Sequence, residues 1–306
     1  MIEYIVRRLL ILIPVLLGVL TLVFIIVRLV PGDPIQAILG NISDKETIEA
    51  LTHELNLDKP ILEQYFLWLS GILQGDFGRS FISRRPVLDE LFVPLQTTLI
   101  LTFTAMSLAI IMGVVLGVIA SVRRNKATDY IVMVGAMFGI SIPSFWFGLV
   151  LIYTIAVQFH LLPSSGFGEI NQLILPAFSL SLASVAIIAR MSRSSMLDSL
   201  GQDYIRTARA KGCSERSTVY KHALKNALIP VITVVGLEMG FMLSGAIVIE
   251  HVFAIPGIGR LMISAISLRD FPVIQGGVLI TAFAFIFVNL IADILYAIVD
   301  PRIHYK

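Results

Sequence analysis

Six long stretches of the chain carry almost no charged side chains, and each is long enough to cross a membrane. A helix needs about 20 consecutive apolar residues to span the hydrocarbon core of a bilayer. Glu238 and Asp293 are the only acidic residues within the fifth and sixth stretches. The pattern predicts an all-α integral membrane protein with six transmembrane helices, in residues 1–30, about 95–122, 130–159, 173–192, 228–249 and 273–299.

The distribution of Lys and Arg predicts how these helices are oriented. Basic residues collect on the cytoplasmic side of membrane proteins. If both termini are cytoplasmic, 15 of the 23 basic residues lie in inside segments, which include residues 123–126, the long loop 193–227 and the tail 300–306. The opposite loop 160–172 has no Lys or Arg. We therefore expect cytoplasmic N and C termini and an extracytoplasmic helical segment in residues 31–94.

Composition agrees with a membrane protein and excludes several classes of function. The chain of 306 residues is 57% hydrophobic and 14% charged, with a mean hydropathy of +0.88, whereas soluble domains carry about 25% charged residues. A net charge of +2 is too small to indicate nucleic-acid binding. The single cysteine, Cys213, excludes an internal disulfide framework and a cysteine metal cluster.

The first apolar stretch could also be interpreted as a signal peptide, because Arg7 and Arg8 precede it. Its apolar run exceeds the roughly 7–15 residues of a signal core, and no small-x-small cleavage site follows. We therefore expect a span that is retained.

The outer segment contains signals for two short helices. Residues 43–46, Ser-Asp-Lys-Glu, match a capping box, and Pro60 suits the first turn of a second helix. From Ile61 to Leu73 the apolar residues form one broad face, and the glycines of Gly75–Gly78 end the helix. This face is expected to lie on the membrane or to dock on another subunit.

Two spans carry small residues every four positions, as close helix packing in lipid requires. The second span has Ala105, Ala109, Gly113, Gly117 and Ser121, and the fifth has Gly236, Gly240 and Ser244. Packing within the chain is the favoured interpretation. Contact with a second membrane subunit, or a role in lining a path, is the alternative.

Polar and helix-breaking residues within the spans are candidates for a translocation pathway. An intramembrane carboxylate is costly and suggests function, so Glu238 is a pathway candidate with Gly240 and Ser244 on the same helix. Pro143 kinks the third span, either as a hinge or as a shape fitted to its neighbours. The intramembrane polar pair Asn289 and Asp293 lies near the inner end of the last span, where pairing or capping is the simpler role.

The loop 193–227 is expected to form two helices joined at a glycine. Residues 203–211 are acidic at the start and basic at the end, as the helix dipole favours. Gly212 is a natural C-terminal stop, and Ser214 is a plausible N-cap for a helix through Lys225. The protrusion would rest on anionic lipid or dock on a cytoplasmic partner.

This loop resembles the signature of bacterial ATP-binding-cassette (ABC) importer permeases, which is Glu-Ala-Ala, three residues and glycine, then an apolar residue and proline. Arg206-Thr207-Ala208, Gly212 and Ile229-Pro230 occupy those places. Arg206 in the glutamate position and the longer loop are typical of the peptide and nickel branch. The whole chain resembles the B-type permeases of dipeptide, oligopeptide and glutathione importers, as shown by motifs at residues 30–34, 75–80, 207–212, 222–227, 250–261, 269–275 and 300–303.

The resemblance implies a type I ABC importer permease fold in the bacterial cytoplasmic (inner) membrane. It also implies a homologous second permease subunit, two ABC ATPase subunits that bind ATP and Mg, an extracytoplasmic substrate-binding protein and a peptide-class substrate. The helix near Ser214–Thr218 would lie in a groove of one ATPase. The coupling residues that it implies are Arg206, Thr207, Ala208, Gly212, Ser214, Glu215, Arg216, Ser217 and Pro230.

The sequence gives no sign of an enzyme or of a cofactor held by this chain. It has no Gly-Lys-Ser/Thr phosphate loop, Gly257-Ile-Gly259 lacks the third glycine of a nucleotide fingerprint, and its five histidines lack metal spacing. The remaining alternatives are a nickel or other small-solute permease of the same family and a stand-alone secondary carrier. An intramembrane hydrolase would need motifs that the chain lacks.

Overall fold

The computed structural model describes residues 2–29, 35, 48–49, 52–53 and 56–299, without the side chains of residues 2–12, 27, 29 and 292–299. Within these residues the regular secondary structure is helix, with one isolated β-bridge, which confirms the all-α prediction for this part of the chain. The helices are α1 Ile2–Leu29, α2 Ile61–Leu73, α3 Val87–Val122, α4 Ala127–Ser141, α5 Ser144–Leu151 with its π-helical continuation Ile152–Gln158, α6 Ile170–Leu200, α7 Asp203–Ala210, α8 Glu215–Val252, α9 Ile258–Leu268 and α10 Phe271–Val299.

Several of these helices have the length and composition of membrane spans. In the described part of the chain, α3, α6, α8 and α10 qualify, and the bent pair α4 and α5 adds a fifth if it counts as one span. The backbone of α1 is helical over 28 residues, Ile2–Leu29, and its stretch from Ile13 to Ile26 is apolar. The chain is thus a multi-pass helical protein.

Two helix ends differ from the sequence-based boundaries because charged residues alone do not stop a helix. The fourth span was expected to end near residue 192, yet α6 continues to Leu200 and ends at Gly201. The loop helix that begins after Ser214 was expected to end near Lys225, yet α8 passes through a π-helical stretch at Thr218–Ala223 and continues to Val252. Pro230 lies inside α8, where a proline removes only one backbone hydrogen bond.

The stretch predicted as the third span is bent far more than a simple proline kink. The axes of Ala127–Ser141 and Ser144–Gln158 differ by 103°. Pro143 is the N-cap of α5 and has an extended backbone, with φ −61° and ψ 130°. The predicted interruption at Pro143 is therefore confirmed, and the chain forms two separate helices on either side of it.

Residues 1–96 and 257–286 form one compact unit of the chain. There α2 packs on α1, since the hydroxyls of Tyr65 and Thr21 lie 2.8 Å apart and the rings of Tyr65 and Trp68 contact Phe24. The predicted helix after Pro60 is confirmed, and one side of it docks on the chain itself. The proposed capping box at residues 43–46 lies outside the described residues.

A second contact in this unit joins two of the sequence motifs. The Asp270 carboxylate is almost fully buried and accepts hydrogen bonds from Ser80 Oγ at 2.5 Å and from the Phe81 N–H at 3.1 Å. Beneath it, Val87 and Leu91 of α3 pack with Val273 of α10 and with α9. The motifs at 75–80 and 269–275 therefore hold each other in place.

Residues 97–256 and 287–306 form the other unit, and α6 lies at its centre. The predicted small-residue stripe of α3 packs against α6: a Cβ added to Gly113 would lie 2.7 Å from Ile188 Cγ2, and one added to Gly117 would lie 2.5 Å from Ser192 Cβ. The favoured interpretation of that stripe, packing within the chain, is confirmed. The surrounding core includes Leu101, Ala105, Ile188, Leu243, Ile249 and Phe253.

Candidate functional site

The segment 201–217, called the elbow below, contains most of the predicted coupling residues. Its helix α7 begins at Asp203 and ends at Ala210, as expected. Ile205 and Ala208 face inward and are buried, whereas Arg206 and Thr207 are exposed. Helix α7 therefore presents a polar face while an apolar face anchors it.

The corner after α7 has the geometry that glycine and serine favour. Gly212 has a φ of +81°, in the left-handed region, and its N–H donates to the Arg209 carbonyl at 2.9 Å. Ser214 caps the next helix, since its Oγ accepts from the Ser217 N–H at 3.4 Å. The predicted glycine stop and serine N-cap are both confirmed.

An ion pair crosses this corner. The Arg209 guanidinium donates to the two Glu215 carboxylate oxygens at 2.8 and 3.2 Å. A second, looser pair joins Arg206 to Asp203 at 3.4 Å, with both side chains well exposed. Exposed pairs contribute little to stability, so these charges mainly fix the shape and the polarity of the tip.

The elbow is fixed to three long helices through a small buried cluster. Ile205 of α7 packs with Met196 of α6, Val118 of α3 and Val219 of α8. Ala223 and Ala227 extend the cluster along α8. The elbow is thus an exposed polar tip on an apolar root that reaches into the spans.

The coupling residues implied by the family signature do not all lie at this tip. In the described structure, Arg206, Thr207, Gly212, Ser214, Glu215 and Arg216 are exposed there, Ser217 is half-buried and Ala208 belongs to the root. Pro230 is half-buried and lies 15 residues along α8 from Glu215, which is about 22 Å at the rise of an α-helix.

The candidate pathway residues of α8 lie on different faces of that helix. Glu238 is 8% exposed and accepts a hydrogen bond from Ser184 Oγ of α6 at 2.5 Å. Six positions later, Ser244 is exposed and lies on the side that also exposes Leu237 and Phe241. Gly240 is buried. The structure therefore places Glu238 against α6 and does not bring it together with Ser244.

The other polar candidates are separate from this helix face. Pro143 is exposed at the break between α4 and α5, and Asn289 is half-buried in α10. The side chain of Asp293 lies outside the described part of the structure. In that described part, three or more His, Cys, Asp or Glu side chains are nowhere grouped as a metal site would require.

Two polar contacts between helices are not indicated by the positions of charged residues in the sequence. The buried Asp129 of α4 pairs with Arg193 of α6, and the fully buried Glu250 of α8 accepts a hydrogen bond from Thr98 of α3. Arg193 was assigned to a loop because it is basic. The signal that could have placed it in a helix is the absence of Gly and Pro between Pro176 and Gly201.

Comparison with known families covers nearly the whole chain. Residues 113–305 match the family "Binding-protein-dependent transport system inner membrane component". Residues 1–102 match the N-terminal family of the same membrane components.

Full-length relatives agree with these matches. The chain is 46% identical over 306 residues, covering 100% of both chains, to the "Glutathione transport system permease protein GsiC" of Escherichia coli (strain K12). It has the same identity and coverage with the protein of that name from Shigella dysenteriae serotype 1 (strain Sd197). This chain is therefore similar to glutathione transport permeases over its entire length.

Solved structures of two transporters share the fold. An amino acid ABC transporter chain aligns with a TM-score of 0.52 at 19% identity, over 70% of this chain and 94% of that one. A chain of the inward-facing MetNI methionine ABC transporter aligns with a TM-score of 0.55 at 18% identity, over 69% and 96%. Together with the family matches, these similarities establish that the chain belongs to the binding-protein-dependent inner-membrane components, the multi-pass permease subunits of bacterial ABC importers.

Proposed function

We propose that this chain is the permease subunit of an ATP-driven importer that moves short peptides, of the dipeptide, oligopeptide or glutathione class, inward across the cytoplasmic membrane. The observation that carries the substrate class is the 46% identity over the full length to glutathione transport permeases. The proposal that transport depends on ATP is supported by the elbow, whose exposed polar tip on an apolar root could bind a separate ATPase subunit.

The proposed topology has six spans and cytoplasmic termini. Helix α1 has 28 residues, about 42 Å at the rise of an α-helix, and the hydrocarbon core is about 30 Å thick. Counting α1 as one span and the bent pair α4 and α5 as another gives six with α3, α6, α8 and α10. An even number of spans leaves both termini on one side, and the distribution of Lys and Arg favours the cytoplasm.

The proposed complex contains a homologous second permease subunit, two ATPase subunits and an extracytoplasmic substrate-binding protein. ATP and Mg would bind to the ATPase subunits, with no cofactor in this chain. The elbow would dock in a groove of one ATPase through Arg206, Thr207, Ser214, Glu215 and Arg216. Its exposed charges of both signs suit a polar protein surface better than an anionic membrane, which would favour Lys and Arg alone.

Coupling in this proposal is mechanical. The root of the elbow contacts α3, α6 and α8, so a displacement of the tip by the ATPases is passed to three helices at once. Binding of ATP and of the loaded binding protein would shift the permease between inward-open and outward-open states. Each ligand shifts this equilibrium only as far as its affinities for the two states differ. A pathway along the exposed side of α8, which includes Ser244, would open and close with these helices.

The test is uptake and ATP hydrolysis by the complex reconstituted in liposomes with its binding protein. Residues 214–218 would be replaced by a Gly-Ser linker of equal length. With the ATPase subunits in excess, so that weaker docking is compensated, we expect the substrate-stimulated part of ATP hydrolysis to be lost while basal hydrolysis remains. The matched control is Lys126→Ser, an exposed change in another loop, which should leave stimulation intact.

Two results would contradict the proposal. If the linker variant keeps full substrate-stimulated hydrolysis, the elbow does not couple the subunits. If this chain alone transports substrate when an ion gradient is applied, and ATP has no effect on that transport, the chain is a secondary carrier. Competition by dipeptides and glutathione, set against Ni²⁺, distinguishes peptide import from the nickel alternative.

A further inference from the structure

An ion pair joins α4 to α6 just before the elbow. The Arg193 guanidinium donates to both oxygens of the Asp129 carboxylate, from Nε at 2.5 Å and from Nη2 at 2.7 Å. The Asp129 side chain is 3% exposed and that of Arg193 is 25% exposed. Paired hydrogen bonds of this kind fix the relative orientation of the two groups as well as their distance.

The same carboxylate also fixes the short loop between α3 and α4. Asp129 Oδ2 accepts from the backbone N–H of Asn125 at 3.0 Å. Asn125 has a φ of +60°, so the loop turns sharply at the residue that this bond holds. Asp129 therefore fixes the point where α3 is joined to α4, and Arg193 attaches that point to α6.

Glycine contacts hold α6 on two sides, within about two turns of Arg193. On the α3 side, a Cβ added to Gly117 would lie 2.6 Å from the Ala189 carbonyl oxygen and 2.9 Å from the Arg193 nitrogen. On the α4 side, a Cβ added to Gly139 would lie 3.2 Å from Ala186 Cβ. Backbones this close leave α6 little freedom to tilt against either neighbour.

The elbow is attached to α6 directly beyond this point. Met196, one turn after Arg193, is fully buried against Ile205 and Val219. Helix α6 is continuous from Ile170 to Leu200. No break in the helix separates the ion pair from the root of the elbow.

We propose that Asp129 and Arg193 are positioning residues that form a permanent brace, so that residues 97–122 of α3, helix α4, helix α6 and the elbow move as one body. This inference rests on the proposed function, in which the elbow receives the movement of an ATPase. Without the brace, the end of α6 bends when the elbow is displaced, and less of the displacement reaches the spans. The pair stays closed throughout the transport cycle.

The first experiment measures coupling rather than stability alone. In the reconstituted complex, Arg193→Ala and Asp129→Ala should each lower the ratio of substrate-stimulated to basal ATP hydrolysis by roughly tenfold, within the range typical of coupling free energies. The exchange Asp129→Arg with Arg193→Asp should restore part of that ratio, because it rebuilds the ion pair but not the bond from the Asn125 N–H. Arg190→Ala, an exposed arginine one turn earlier in α6, is the control and should leave the ratio unchanged.

A structural role without coupling gives a different result. In that case the single variants lower the thermal midpoint of the complex. The ratio of substrate-stimulated to basal ATP hydrolysis, measured on the complexes that do assemble, then stays at the wild-type value. That outcome overturns the proposal. So does an exchange variant that assembles normally and still fails to couple.

The second experiment tests whether the pair stays closed, and it does not depend on the behaviour of the alanine variants. The single natural cysteine is removed as Cys213→Ser, and Asp129→Cys with Arg193→Cys is bridged by a short, reducible bis-methanethiosulfonate. The bridged complex should transport, and reduction should remove coupling. If the bridged complex is inactive, the pair must open during the cycle and the proposal is wrong. A wild-type complex without substrate-stimulated hydrolysis would instead contradict the proposed function itself.

Discussion

Two motif-rich regions of this permease use their polar side chains in opposite ways. At residues 75–80 and 269–275, the Asp270 carboxylate and the Ser80 hydroxyl are buried and bonded to each other. In the elbow, Arg206 and Glu215 are exposed, with 77% and 68% of their side chains accessible. Both regions carry family motifs, yet the first has the chemistry of an internal joint and the second that of a surface for a partner.

The difference indicates what each motif contributes. A buried carboxylate is tolerated only when donors surround it, and Asp270 has a side-chain donor and a backbone donor. An exposed charge needs no such partners and is free to meet another protein. We therefore expect changes in the first region to act on stability and changes in the elbow to act on coupling, and three variants test this contrast.

The largest effect is expected for Asp270→Ala. The change leaves the buried Ser80 hydroxyl and the half-buried Phe81 N–H without their acceptor, which costs about 3 kcal/mol for two such groups. The thermal midpoint of the purified complex should fall clearly. Asp203→Ala, at an exposed carboxylate of the elbow, is the matched control. Equal stability of the two variants would remove the contrast between the regions.

A smaller effect is expected for Gly212→Ala. The residue has a φ of +81°, and an added Cβ would meet nothing within 4 Å. The cost is then backbone strain alone, about 1 kcal/mol. Because the strain falls on the corner of the elbow, the substrate-stimulated share of ATP hydrolysis should decrease more than the thermal midpoint does. Gly201→Ala is the control, since Gly201 has an ordinary helical backbone with φ −79°. If the variant lowers the thermal midpoint but keeps substrate-stimulated ATP hydrolysis intact, Gly212 acts on stability, as the Ser80–Asp270 contact does.

Local signals in the sequence were sufficient for the elbow. The acidic start of α7, the glycine at its end and the serine that caps α8 act through neighbouring backbone groups, so residues a few positions apart reveal them. The stripe of Gly113 and Gly117 was also found, because close packing in lipid selects small residues at a fixed spacing.

Contacts between distant parts of the chain could not be found in this way. Ser80 and Asp270 are 190 positions apart, and Asp129 and Arg193 are 64 apart, so no local pattern joins them. The size of the bend at Pro143, 103°, could not be found either, because a proline in the sequence indicates where a helix is interrupted but not the angle between its two parts. Glu238 and Ser244 were grouped by sequence proximity, although a helix advances 100° per residue and therefore places them about 120° apart around its axis.

The smallest effect on stability, and the sharpest test of the contrast, is expected for Arg209→Gln. Arg209 pairs with Glu215 across the corner of the elbow, and both side chains are well exposed. Exposed pairs contribute about 0.5 kcal/mol, so the thermal midpoint should hardly change. The pair nevertheless holds the tip in one shape, and its loss should weaken docking of the ATPase subunits. Titration of the permease with purified ATPase subunits measures that affinity, and Glu215→Gln should give the same decrease because it removes the same pair. If both variants bind the ATPases as tightly as the wild type does, the exposed charges of the elbow are not a docking surface. The elbow and the buried contact at Asp270 would then differ in solvent exposure but not in function.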